Sequence, residues 1–192
     1  MKWWIYLIIA ILILLIFALF FIGYKTFRYA TNPLKEPRLD PYKVKRFEPY
    51  LDKIIPAFEY FNDLGKEEVE ITSFDNIKLK GYYVNNNSTK GTIIMMHGYR
   101  SSAIVDFSVV IKPLLDEGYN LLMPHERGCG ISEGKQICFG VKERYDLKDW
   151  INYINNRTNN QLPIYLYGVS LGGATVVMTT GFDLPNNVKG VI

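Results

Sequence analysis

Twenty consecutive residues without a charge, Trp3 to Ile22 (WWIYLIIAILILLIFALFFI), set the first limit on what this chain can become. As an α-helix the run is about 30 Å long, the thickness of bilayer hydrocarbon. Trp3, Trp4 and Tyr6 at one end and Tyr24 and Phe27 at the other are the rings that favour membrane–water interfaces. The run is too long for the apolar region of a cleaved signal peptide, and FIGYKTF offers no small-residue cleavage site. The expectation is a single-pass anchor over residues 1–24, with the lipid bilayer as partner of residues 3–22. Lys25, Arg28, Lys35 and Arg38 follow the run and Lys2 precedes it, which puts the C-terminal side in the cytoplasm by the positive-inside rule. Large domains cross regardless of nearby charge, so an extracytoplasmic placement stays open at this point.

The 192 residues are 48% hydrophobic and 15% aromatic, enough apolar surface for a packed core. A formal charge of +3, without a basic stripe, gives no case for nucleic acid. Cys129 and Cys138 have neither metal-ligand nor CxxC spacing and are expected as thiols. No metal or organic cofactor is implied.

Past the anchor, residues 25–65 combine Pro33, Pro37, Pro41 and Pro49 with many charges, which predicts a semi-extended spacer. Leu51, Ile54, Ile55, Phe58 and Phe61 then follow helical spacing, interrupted by Pro56. From residue 66 the period changes. VEITSF and IKLKGYYV flank Asp75-Asn76 as a hairpin. TIIMM, YNLLMP and PIYLYG are short apolar runs of the kind that forms strands buried on both faces. The segments between and after them carry helix signals: a capping Ser101 or Ser102 with Gly118 as a stop, an apolar stripe at Leu147, Trp150, Ile151 and Ile154, and the stretch from Leu171 to about Gly181. The pattern is an α/β domain over 66–192: a hairpin, then a mostly parallel sheet with flanking helices.

YLYGVSLGGA carries the chemistry. Gly168-Val169-Ser170-Leu171-Gly172 fits G-x-S-x-G between a strand and a helix. A nucleophile there must leave a sharp, strained turn, where larger flanking side chains would collide with the neighbouring elements. The helix behind it aims free N–H groups at developing negative charge. TIIMMHGY ends another strand in His97-Gly98-Tyr99. Backbone N–H groups of Tyr99 and Leu171 are the expected oxyanion donors, and the His97 ring is expected to brace its loop.

With HGY, ERGCGISEG, FGVKERYDLKDWINYI and GVSLGGA in this order, the chain resembles the α/β-hydrolase superfamily. It is most similar to membrane-anchored bacterial hydrolases related to serine aminopeptidases and lysophospholipase-like esterases. The resemblance implies Ser170 as nucleophile, Tyr99 and Leu171 as oxyanion donors, and a small-molecule ester or amide as substrate. It also implies a triad acid and histidine after the nucleophile, whereas this sequence has Asp183 and no histidine beyond Ser170. The expectation is therefore an incomplete hydrolase domain, truncated at its C-terminal side and inactive or weakly active. A non-catalytic, membrane-anchored binding module is the alternative, and His125 acting as the base is a third reading. Where the family has D-x-R-G-H-G, this chain has HERGCG, with His125 and Cys129 in the departing places. Glu143, Arg144, Asp146 and Asp149 are expected on a solvated helix face, with Asp146 placed to tie that loop.

Overall fold

The computed structural model describes residues 2–33, 41–43 and 45–192. Lys35, Pro37 and Arg38, used above for orientation and spacer, lie outside the described residues. The chain divides into two compact units, Met1–Asn32 and Pro33–Ile192.

The first unit is one helix, α1 (Trp3–Thr31), long and apolar enough to cross a membrane; a signal sequence near an N-terminus meets the same test. The helix continues seven residues past residue 24, and its last turn is closed by the Thr31 hydroxyl donating to the Phe27 carbonyl at 2.9 Å.

In the second unit, part of the expected extended spacer is instead wound into 3-10 turns at Pro41–Lys43 and Lys45–Tyr50. Proline's fixed φ suits such turns as well as extended chain. Helix α2 (Leu51–Asp63) runs through Pro56 and does not break there. At the sixth position of the helix the proline removes one ladder bond, the one an N–H would make to the Asp52 carbonyl, and the turns on either side continue.

Six strands are described: β1 (Glu67–Thr72), β2 (Lys78–Val84), β3 (Thr92–Met96), β4 (Asn120–Pro124), β5 (Ile164–Gly168) and β6 (Val188–Val191). They form one sheet in the order β1-β2-β4-β3-β5-β6. The hairpin β1–β2 is antiparallel, β2 pairs antiparallel with β4, and β4, β3, β5 and β6 are mutually parallel. Asn76, at φ +60°, makes the hairpin turn, a conformation asparagine tolerates.

Helices α3 (Ala103–Asp116), α4 (Glu143–Arg157) and α5 (Leu171–Thr179) complete the α/β arrangement. Strand β3 explains why both faces need cover. Ile94 and Met96 pack with Leu147, Trp150, Ile151 and Val176 of α4 and α5. Ile93 and Met95 pack on the opposite face with Phe61 of α2 and Phe107 and Ile111 of α3. Alternate residues of one strand thus enter two separate cores, so Ile93 to Met96 carry no polar side chain.

Candidate active site

In an open parallel sheet, ligands bind beyond the carboxyl ends of the strands where the order reverses. Here β3 has β4 on one side and β5 on the other. The register sets Met96 opposite Gly168, and the Val169 N–H donates to the Met96 carbonyl at 3.1 Å. Pairing alone therefore brings His97-Gly98-Tyr99 beside Val169-Ser170-Leu171.

Ser170 is exposed and stands between β5 and α5 at φ +54°, ψ −113°. A non-glycine residue in this region is strained and persists only where its surroundings enforce it. The enforcement is visible at its flanks. A Cβ on Gly168 would overlap the Gly172 carbonyl, and one on Gly172 would overlap the Met96 carbonyl. A Cβ on Gly98 would lie 3.4 Å from the Ser170 Cβ, so the HGY loop passes directly against the serine. Leu171 is the first residue of α5 and has no intrahelical carbonyl for its N–H. Its side chain shares a small apolar cluster with Cys129, Ile137 and Tyr99. The structure thus brings Ser170, Tyr99 and Leu171 together.

The HGY loop is pinned from three directions. Asp106, in the first turn of α3, accepts from the Gly98 N–H at 2.6 Å and from the Ser101 hydroxyl at 2.8 Å. The Gly98 carbonyl lies 2.9 Å from His97 Nδ1 and accepts from the Ser101 N–H at 3.1 Å. His97 Nε2 accepts from the Glu126 N–H at 3.2 Å, which fixes the proton on Nδ1. The ring is fully buried, and burial lowers its pKa and keeps it neutral. His97 therefore braces two loops with both nitrogens engaged. Asp106 carried no sequence signal beyond its place near a helix start.

Contrary to expectation, Glu143 and Asp146 are buried, at 1% and 3% exposure. Glu143 accepts from the N–H groups of Cys138 (2.6 Å) and Gly140 (2.9 Å). Asp146 accepts from Arg127 Nε (2.7 Å) and Nη2 (2.5 Å), while Arg127 also reaches both oxygens of Asp75 in the hairpin turn. Asp149 accepts from the Phe74 N–H at 2.9 Å. The carboxylates of α4 turn inward because the 125–140 segment, which has no strand or helix, brings its N–H groups and one arginine to be satisfied. Arg127's hydrogen bonds hold Asp75 well below the usual carboxylate range. Burial pushes Asp146 up to about 6, against the pull of the same arginine.

Of the two departures from the family loop pattern, Cys129 is buried and His125 is half-buried. Cys129 is 2% exposed, and neither cysteine is disulfide-bonded. His125 lies edge-on to Tyr82, and a Cβ on Gly130 (φ +48°) would strike its ring. Burial, then the neighbouring His97, lowers His125 to about 4, and its Nε2 has no hydrogen-bond partner. Both carboxyl oxygens of Glu126 are likewise buried without a partner, and burial raises its pKa well above the carboxylate range. Among the described residues no group of three or more His, Cys, Asp or Glu could hold a metal.

Residues 87–192 match the family model of serine aminopeptidase, S33. The chain belongs to that family, within the α/β-hydrolase superfamily. It is 32% identical over 125 residues to the uncharacterized protein YqkD of Bacillus subtilis (strain 168), an overlap of 65% of this chain and 41% of YqkD. The esterase Pf2001 of Pyrococcus furiosus superposes with a TM-score of 0.55 at 36% identity, over 59% of this chain and 46% of the esterase. The α/β-hydrolase GrgF of Penicillium sp. sh18 superposes with a TM-score of 0.59 at 22% identity, covering 67% of this chain and 45% of GrgF, and shares the fold. The chain thus spans less than half the length of each of these relatives.

Proposed function

We propose that this chain carries the nucleophile of a membrane-anchored serine hydrolase that cleaves a small-molecule ester or amide through an acyl-serine. The observation that carries the reading is the backbone of Ser170: an exposed serine held at φ +54° between two glycines that admit no Cβ. In the reaction, Ser170 Oγ bonds to the substrate carbonyl carbon and the carbonyl π pair moves onto oxygen. The N–H groups of Tyr99 and Leu171 stabilise that oxyanion, the leaving alcohol or amine departs with the proton given up by the Ser170 hydroxyl, and water releases the acyl group as a carboxylic acid and restores the hydroxyl. Asp106 and His97 hold the Gly98–Tyr99 peptide in position for this. The 36% identity to a structure described as an esterase favours an ester over an amide. Helix α1 supports an anchor, with Lys25 and Arg28 favouring a cytoplasmic hydrolase unit.

A second reading, a membrane-anchored binding module, draws on the histidines. His97 has both ring nitrogens engaged, and His125 Nε2 is buried without a partner, so neither is placed as a base for Ser170. A serine hydroxyl without a base is a poor nucleophile.

The test is labelling of the purified chain with a fluorophosphonate. The hydrolase reading expects one adduct by intact mass, lost in Ser170→Ala. No adduct on a folded wild-type chain supports the binding module.

A further inference from the structure

Among the described residues, four of the seven non-glycine residues with positive φ are asparagines, which adopt that conformation readily. The other three are Ser170 and the two residues whose side chains lie against the Tyr99 ring, Arg100 and Phe139. Ser170 has its explanation above. Phe139 and Arg100 belong to a second construction.

Phe139 sits at φ +52° with 44% of its surface exposed. A large aromatic in that conformation is strained, and exposure gains it nothing from burial. Yet its backbone is held on both sides by one buried carboxylate: Glu143 takes the N–H of Cys138 before it and of Gly140 after it. Gly140 has φ +86° and packs so closely on α5 that an added Cβ would lie 2.7 Å from the Met178 sulfur. The outcome is a fixed ring stacked on Tyr99, with centroids 5.6 Å apart and planes 21° from parallel. The Arg100 guanidinium lies 5.0 Å from the Tyr99 ring centre. Tyr99 in turn packs against the cluster that contains Leu171, the residue after Ser170.

We propose that Tyr99 and Phe139 form the acyl platform of this site, taking a flat apolar group, aromatic in preference to methyl-sized, beside the carbonyl that Ser170 attacks. The proposal rests on the reading of Ser170 as nucleophile and adds the substrate class. Stacked rings beside a solvent-facing serine offer an aryl group an offset or edge contact that an acetyl group cannot make. Phe139 acts as a specificity-determining residue, and Glu143 is the positioning residue that keeps its ring outward.

The test compares two sulfonyl fluorides on the full chain in lipid nanodiscs, with adducts followed by intact mass. Phenylmethanesulfonyl fluoride carries a benzyl group and methanesulfonyl fluoride a methyl; in both, the serine oxygen displaces fluoride from sulfur. Wild type is expected to react faster with the benzyl reagent. Phe139→Ala lowers that rate about ten-fold and leaves the methyl reagent within about two-fold, while Phe139→Tyr restores the preference. Equal losses for both reagents, or none, overturn the platform. Binding of phenylacetamide to Ser170→Ala, read by ligand-observed NMR, is a second arm that needs no nucleophile. It is expected to weaken about ten-fold when Phe139→Ala is added; no binding, or binding indifferent to Phe139, overturns the platform. If neither reagent labels wild type, the nucleophile reading fails and the amide binding alone decides the platform.

Discussion

Two walls of the same site are built in opposite ways. On the elbow side, Gly168 and Gly172 let β5, α5 and the end of β3 approach until no Cβ fits between them, and the strain falls on Ser170. On the loop side, residues 125–140 have no regular structure and are held by charges taken out of water: Arg127 between Asp146 and Asp75, and Glu143 beneath Cys138 and Gly140. The elbow depends on volume and the loop on charge. Packed backbone resists by overlap, whereas a buried ion pair is stable only while both partners are present.

The largest effect expected from this contrast is at Arg127. Arg127→Leu leaves Asp146 buried and uncompensated, and should cost about 3–5 kcal/mol in urea unfolding. A loss below about 1 kcal/mol would mean the loop is not held by charge. Next is the elbow. Gly172→Ala sets a methyl against the Met96 carbonyl and should cost about 2–3 kcal/mol and remove fluorophosphonate labelling. Gly173→Ala, whose Cβ would lie 3.3 Å from the Gly168 carbonyl, should retain both stability and labelling. Equal behaviour of the two variants would mean that close packing at Gly172 does not hold the elbow.

The smallest effect is the pH dependence that His125 adds on the loop side. His125 titrates at about 4 in the folded chain against an ordinary 6.5, so the unfolded state binds its proton more tightly. Its contribution is intact above pH 6.5 and is lost as pH falls towards 4, about 2 kcal/mol after allowance for partial exposure. Asp146, raised to about 6, acts in the opposite sense over part of that window. Urea midpoints of wild type and His125→Phe across this range therefore isolate the histidine: the variant should lose less stability on acidification.

The same contrast decides what was legible in the sequence. Short apolar runs gave the strands because β3 feeds two cores, and glycines around a serine gave the elbow because only small residues fit there. The HGY loop was legible through its place at a strand end. The inward turn of Glu143 and Asp146 was not. On a helix whose stripe at Leu147, Trp150 and Ile151 already faces the core, extra carboxylates read as solvated, and the donors that claim them come from segments without periodicity. Asp106 was hidden for the same reason: its partners, the Gly98 N–H and the Ser101 hydroxyl, belong to a loop.

That single aspartate has a wider consequence. It rides on the first turn of α3, a helix seated on the sheet by Phe107 and Ile111, both fully buried. The Gly98 amide, one residue before Tyr99, is thereby tethered to α3 through this side chain. A change of shape deep under α3 would travel along that tether to the loop that lies against Ser170.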